Sequence, residues 1–390
     1  MNDTSCFVAK TFAGLEPLLA DELTALGARN CTVMSRSVAF EGGADMLYRA
    51  NYFSRLALRV LWRQKTFTFA NNRQFYEQVF DFPAEQFMGP DHTLAVHATI
   101  ADTIFKTPLY ASLLAKDAVC DRFRDRCGRR PSVDKDNPDV QLHLHVYKNE
   151  AQLFLDSSGE SLHKRGYKAR SHPAPINEVV AAAMLKLSGW HGECDLIDPM
   201  CGGATILIEA AMRALNIPAG FYRRDYGFCH WKTFDAGQWR EVRKTADIRD
   251  DVDVNFYGSD ISPQFLEIAA ANVRRARLED FIRLERRDMR QARPARAPAL
   301  VMTNPPYGER LAVEDPNEFY SEIGDSLKNN FSGCRAFVIS SDMDALKHIG
   351  LKPSMKARLF NGPLKCRLVG YDLFSGDRKS FVTHKKNKEA

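Results

Sequence analysis

The chain has 390 residues, 45% hydrophobic and 26% charged, which argues against extended disorder and for two or three domains. Net charge is +5, from 54 Lys+Arg against 49 Asp+Glu, a balance that permits nucleic-acid binding without demanding it. No apolar run approaches the ~18 residues of a membrane helix, and Asp3 and Glu16 interrupt the start where a signal peptide would turn apolar, so a cytoplasmic protein with no membrane partner is expected.

Residues 7–10 read as a short strand. A helix follows with Leu15, Leu18, Leu19, Leu23 and Leu26 on one face, stopped by Gly27. Residues 31–34 and 37–40 read as two strands joined by a tight turn. A helix carrying Met46, Leu47, Ala50 and Phe53 comes next, then a strand over 56–62. From Thr66 to Leu155 the α+β pattern continues. Residues 94–98 form a strand, and 108–124 a helix whose apolar stripe is Leu109, Leu113, Leu114, Ala118 and Val119. Residues 140–147 alternate, with Leu142, Leu144 and Val146 on one face and His143, His145 and Tyr147 on the other. The His-x-His pair has no third ligand at a plausible spacing, so solvent or RNA contact is the reading and no metal is expected. A strand over 151–155 closes the region.

Periodicity vanishes over 156–175, where Gly, Ser, Pro and basic residues dominate. This is the best candidate for a domain boundary. Lys164, Arg165, Lys168 and Arg170 surround Tyr167, a mix suited to phosphate and base contact in RNA; a plain linker is the alternative. The clusters Arg122–Arg130, Arg274–Arg277 and Arg286–Arg290, and the tail from Arg378, Lys379 to Lys385, Lys386 and Lys388, are read as solvated faces. The nine cysteines contain no C-x-x-C pair and are taken as reduced thiols.

Beyond Pro175 helices and strands alternate, as in a doubly wound α/β domain. Helices are expected over 176–187, 204–215, 263–276 and 317–329. Strands are expected over 195–198, 255–258, 282–286, 299–303 and 336–340, with a terminal hairpin around Asn361-Gly362. Residues 216–250 form an insertion rich in aromatics (Phe221, Tyr222, Tyr226, Phe228, Trp231, Phe234 and Trp239), read as packing with stacking as an alternative.

Two loops at strand ends organise the chemistry. The first is Asp198-Pro199-Met200-Cys201-Gly202-Gly203-Ala204-Thr205 and the second Thr303-Asn304-Pro305-Pro306-Tyr307-Gly308. Ligands of open parallel sheets bind at the carboxyl ends of strands. Asp198, Asp260 and Asp288 each end or follow a strand. The second suits a ribose diol and the third an adenine amino group, so an adenosine-containing ligand is implied. The loop lacks the G-x-G-x-x-G fingerprint that a pyrophosphate needs. S-adenosylmethionine has no phosphate, and its cationic groups tolerate Asp198. In the second loop, the Asn304 amide oxygen and the Pro305 carbonyl can accept the two hydrogens of an exocyclic amine. Tyr307 can stack on the ring, and Pro305 and Pro306 hold the backbone. Positioning then does the work without a strong base.

These two loops resemble those of class I S-adenosylmethionine-dependent amino-methyltransferases. Together with the 158–167 stretch, Trp231 and the Asn361–Arg367 hairpin, nearly the whole chain is similar to RNA guanine-N2 methyltransferases that carry a ferredoxin-like segment and a THUMP domain, closest to the 23S rRNA group. The resemblance implies a ferredoxin-like segment over 1–65, a THUMP-like RNA-binding domain over 66–157, a linker over 158–175 and a Rossmann-like domain with a seven-stranded mixed sheet over 176–390. It implies S-adenosyl-L-methionine held around Asp198, Pro199, Met200, Cys201, Gly202, Thr205, Asp260, Asp288 and Asn304, with Asn304, Pro305, Pro306 and Tyr307 on the target base. Where that family has Ser-Gly, this chain has Gly203-Ala204; a positive φ at the second position would strain Ala204. Some relatives carry a second methyltransferase domain, whose activity this chain is expected to lack. The expected reaction is methylation of guanine N2 in 23S rRNA. The alternatives are tRNA guanine N2, adenine N6 of DNA, or a non-catalytic RNA-binding assembly factor. The nucleotide-dependent dehydrogenase class is disfavoured by the missing fingerprint.

Overall fold

In the computed structural model, residues 4–170, 175–307 and 314–374 are described. Asp3, Gly308, residues 171–174 of the expected linker and the basic tail from Arg378 lie outside the described residues. The chain divides into two units. The first comprises residues up to Thr11, Glu16–Lys164 and Arg223–Thr245; the second comprises Phe12–Leu15, Arg165–Tyr222 and the chain from Ala246 on.

The first unit contains β1 (Ser5–Lys10), α1 (Glu16–Ala25), β2 (Arg29–Met34), β3 (Ser37–Gly42), α2 (Ala44–Phe53), β4 (Arg59–Thr68), α3 (Asn72–Phe80), β5 (Thr93–Ala101), α4 (Pro108–Cys127), β6 (Ser132–Val133), β7 (Val140–Tyr147) and β8 (Glu150–Asp156). All eight strands form one sheet in the order β2-β3-β1-β4-β8-β7-β5-β6. Strand β4 joins its halves. It starts later than the sequence suggests because Ser54 Oγ accepts the Ala57 N–H at 3.0 Å and turns the chain first. It then runs on to Thr68, pairing with β1 at Val8↔Leu61 and with β8 from Leu61↔Asp156 to Thr68↔Glu150. The ferredoxin-like and THUMP-like segments therefore share one sheet.

Helix α4 starts where Thr107 Oγ1 accepts the Tyr110 N–H and Pro108 supplies the first turn, and it stops at the left-handed Gly128. Its buried face is Ala111, Ala115, Ala118, Val119 and Phe123, whereas Leu109 and Leu113 are 63% and 43% exposed. Of the stripe expected from the sequence, Ala118 and Val119 are buried and Leu114 partly so, whereas Leu109 and Leu113 face away and Ala111 and Ala115 take the inner positions. On β7, His143 Nε2 lies 3.0 Å from the buried Asp156 carboxylate, which Arg59 also pairs, and its ring lies against His97.

The second unit opens with α5 (Glu178–Leu187), β9 (Leu196–Asp198) and α6 (Thr205–Ala214). The chain then contributes α7 (Ala236–Lys244) to the first unit. Residues 223–245 of the aromatic insertion, expected in the Rossmann-like domain, thus group with the first unit. Trp231 packs on Trp62, and Phe228, Phe234 and Trp239 surround Tyr48. Arg223 donates to the carbonyls of Ser158, Glu160, Ser161 and Lys164. A Cβ on Gly227 would lie 2.5 Å from the Asp156 carbonyl and 2.9 Å from the Gly159 N–H, so only glycine allows this approach. Tyr226, Phe228 and Trp231 are buried and pack, whereas Phe221 is 39% exposed.

The second unit resumes with β10 (Phe256–Asp260), α8 (Pro263–Arg275), β11 (Ile282–Arg286), β12 (Leu300–Thr303), α9 (Pro316–Asn330), β13 (Arg335–Ser340), β14 (Met355–Asn361) and β15 (Leu364–Asp372). Its sheet order is β11-β10-β9-β12-β13-β15-β14. The first five strands are parallel, and β15 and β14 are antiparallel. The order runs outward from β9 in one direction and restarts with β12 on its other side. That reversal is where an α/β sheet opens a crevice.

Candidate functional site

Register sets the site. Leu196↔Leu300 and Ile197↔Val301 align β9 with β12, so the two motif loops leave neighbouring strands at one level. Both line a single cavity of about 970 Å³. Asp198, Pro199, Met200, Cys201, Gly202, Thr205, Asp260 and Asp288 border it from one set of loops, and Asn304, Pro305, Pro306 and Tyr307 from the other.

The β9 loop is held by its neighbours on β10. Cys201 N–H donates to the Ser259 carbonyl at 2.9 Å. Gly202 N–H donates to Asp260 Oδ2 at 3.0 Å, and Asp260 Oδ1 accepts the Ser262 N–H at 3.0 Å. Gly202 has φ +51° and Ala204 φ +61°. The left-handed conformation that the Gly203-Ala204 departure raised is therefore adopted by an alanine, at a cost of roughly 1–2 kcal/mol. Ala204 is fully buried at the start of α6.

Asp198 is 1% exposed, and its Oδ1 accepts the Met200 N–H at 3.2 Å. Burial pushes its carboxyl up to about 7, with the Asp260 carboxylate acting in the same direction. A cavity wall with two carboxylates favours a cationic guest and repels a pyrophosphate. Asp288 differs from its two counterparts. Its carboxylate is gripped by Arg290, with Nε 3.0 Å from Oδ1 and Nη2 2.5 Å from Oδ2, and this hydrogen bonding holds it below the usual carboxylate range. Arg290 also reaches Glu322 at 3.3 Å. The acceptor expected for an adenine amine is already engaged by a guanidinium.

On the opposite side, Asn304 Oδ1 is buried with no hydrogen-bond partner among the described residues. A buried acceptor without a donor costs roughly 1–3 kcal/mol, and here it borders a cavity. Tyr307 is half-buried; its hydroxyl receives Asn361 Nδ2 at 3.4 Å, and burial raises its pKa.

The linker residues behave differently from the expectation. Arg165 and Tyr167 are 1% and 0% exposed. Both turn to Glu209 on α6, at 3.4 and 3.1 Å. They anchor the segment to the second unit and offer no surface to RNA, which corrects their assignment as RNA contacts. Lys164 is exposed and pairs with Glu160. Lys168 pairs with Glu178 at 2.9 Å, and Lys168 and Arg170 border the cavity. Sequence reasoning missed Asn272 and Asn361, which also border it. The signal for Asn272 was an amide on the apolar face of α8, between Ala269 and Val273.

The sheet and the paired loops define a class I methyltransferase domain. A family model for the RMKL-like methyltransferase domain matches residues 165–370, one for the THUMP domain residues 69–156, and one for the RlmL ferredoxin-like domain residues 6–61. The chain belongs to the RMKL-like methyltransferase family. It is 36% identical over 384 residues to slr0064 of Synechocystis sp. (strain PCC 6803), which has the name of an RNA methyltransferase, covering 96% of this chain and 100% of that one. It is 38% identical over 381 residues to the ribosomal RNA large subunit methyltransferase K/L of Syntrophotalea carbinolica, covering 94% of this chain and 53% of that protein. The chain thus spans about half the length of the K/L relatives. The crystal structure of SMU.472 complexed with SAH is similar at a TM-score of 0.86 and 28% identity, covering 97% of this chain and 100% of that one.

Proposed function

We propose that this chain transfers a methyl group from S-adenosyl-L-methionine to the exocyclic N2 amine of guanine in RNA, with 23S rRNA as substrate, in the cytoplasm. The observation that carries the reading is Asn304 Oδ1, buried without a partner among the described residues at the wall of the cavity that Gly202 also borders. An exocyclic amine supplies the donor this atom lacks.

The residues present fit the cofactor. Asp198 and Asp260 suit its cationic and hydroxyl groups, and the loop needs no nest for phosphate. When bound, it supplies an electrophilic methyl group at a sulfonium. The protein's part is positional. Asn304 Oδ1 and the Pro305 carbonyl accept the two N–H groups of the amine, drawing the nitrogen out of conjugation so that its lone pair can attack. Asn361 steers the Tyr307 ring that faces the base. After transfer the nitrogen is acidic enough to lose its proton to water, so no strong base is required. A base must leave its stack to enter such a pocket. The K/L names of relatives support 23S rRNA and the THUMP match supports RNA.

The test is incubation of the protein with methyl-labelled cofactor and unmodified 23S rRNA, tRNA or DNA, followed by digestion to nucleosides. N2-methylguanosine from 23S rRNA is expected. N6-methyladenine, or label in tRNA alone, would replace the substrate assigned, and cofactor binding without transfer to any nucleic acid would favour an assembly factor.

A further inference from the structure

Three constraints meet at one side chain on α8. Asn272 is 1% exposed on a face otherwise made of Ala269 and Val273. Its Nδ2 donates to the Gly203 carbonyl at 3.0 Å. Its Oδ1 accepts the N–H groups of Ala169 at 2.8 Å and Arg170 at 3.2 Å. One turn along the helix, Arg275 Nε donates to the Gly166 carbonyl at 2.9 Å. Thus α8 grips the entering segment at two points and the β9 loop at one.

The bond to Gly203 falls between the loop's two left-handed residues, Gly202 and Ala204. A non-glycine residue keeps that conformation only where its surroundings over-determine it. Inside the loop the Ala204 N–H donates to the Cys201 carbonyl at 2.8 Å; the ties to β10, from Cys201 to Ser259 and from Gly202 to Asp260, precede Gly203. The Asn272 amide ties the loop to α8 on the side of the strained alanine. A buried amide on an apolar helix face is unfavourable unless it is satisfied, and here two of its three bonds go to Gly203 and Arg170, which border the cavity.

We propose that Asn272 is a positioning residue for the cofactor: its amide holds the β9 loop in the strained geometry imposed by Ala204 and sets the Ala169–Arg170 backbone at the cavity's edge. This rests on the reading of the cavity as an adenosyl-cofactor site.

The test is a double-mutant cycle on the full chain with Asn272→Asp, Ala204→Gly and the double variant. The Asp variant keeps the acceptor for Ala169 and Arg170 and replaces the donor to Gly203 by an oxygen that repels that carbonyl. Asn272→Ser, which gives up all three bonds without adding a buried charge, takes its place if the Asp variant does not fold. Affinity for S-adenosylhomocysteine is read by calorimetry, and the thermal midpoint is read without ligand. N272D is expected to weaken binding about tenfold. A204G is expected to restore at least about threefold of that in the N272D background and to change the wild-type affinity less, with the same non-additivity in the midpoints. Affinity unchanged in N272D, or additive effects in both readouts, would overturn the proposal. A wild-type protein that fails to bind S-adenosylhomocysteine would instead sink the cofactor reading, and the ligand-free midpoints would still decide the role of Asn272.

Discussion

Replacing Asp198 with Asn removes a buried charge while keeping an acceptor for the Met200 N–H. In the folded chain this carboxyl titrates at about 7 instead of the ordinary 3.8. A raised carboxyl pKa means that the folded state resists ionisation. Stability is therefore full below about pH 4, falls as pH rises, and levels off above about 7. The full penalty is about 4 kcal/mol, from roughly three pH units at 1.36 kcal/mol each. At about pH 5.5 the penalty is about 2 kcal/mol, because the unfolded carboxyl is already ionised; at about pH 8.5 it is about 4. Between these conditions the wild type should lose about 2 kcal/mol relative to Asp198→Asn. That is about 4–8 °C in the thermal midpoint for a unit of this size. The assay is ligand-free thermal unfolding of both proteins at the two pH values, with the difference between proteins cancelling the histidines that titrate in the same window. A wild-type-minus-variant difference that does not move with pH would refute the argument.

The same carboxyl links cofactor binding to protons. If the cationic cofactor takes the ionised form, its affinity for the wild type should weaken about 30-fold at about pH 5.5, because only about 3% of the folded chain is then competent. Binding should release close to one proton. Asp198→Asn should bind weakly, with little pH dependence.

Asn304→Ala should abolish methyl transfer while leaving S-adenosylhomocysteine affinity within about threefold, since it removes an acceptor for the base; loss of cofactor binding would mean that the loop serves the cofactor instead. Arg165→Ala should destabilise the second unit by about 3–5 kcal/mol by leaving Glu209 buried without its cation, whereas Lys164→Ala should change stability by less than about 0.5 kcal/mol; equal effects in thermal unfolding would contradict the buried anchor. Trp231→Ala should cost the first unit about 3–5 kcal/mol; if limited proteolysis shows only the second unit loosened, the placement of residues 223–245 is wrong.

Where local rules decide, the sequence was a good guide. The strand over 140–147 was legible because alternation has a period of two and both ends are punctuated. The two motif loops were legible because each follows an apolar strand, and neighbouring strands then had to bring them together. What escaped depends on partners distant in sequence. Leu109 and Leu113 resemble a core stripe, yet the helix turns its alanines inward because close approach to β5 and α3 fills the space better than leucine would. Arg165 and Tyr167 read as an RNA-facing pair until Glu209, 44 residues after Arg165, takes both. Residues 223–245 of the aromatic insertion lie between two elements of the second unit in sequence, and the contacts of Tyr48 and Trp62 reveal that they group with the first.

The cavity divides its tasks by chemistry. The groups assigned to the target amine, an amide oxygen and a peptide carbonyl, do not titrate near neutrality, so the acceptor side should work equally across that range. The cofactor side contains Asp198, whose ionisation falls near neutral pH. The pH dependence of turnover should therefore reside in cofactor affinity. At saturating cofactor, kcat should be nearly flat from about pH 6 to 9, while kcat/KM for the cofactor should rise with a midpoint near about pH 7 and level off above about pH 8. A kcat that climbs with pH under saturation would require a general base, which neither Asn304 nor Pro305 can be.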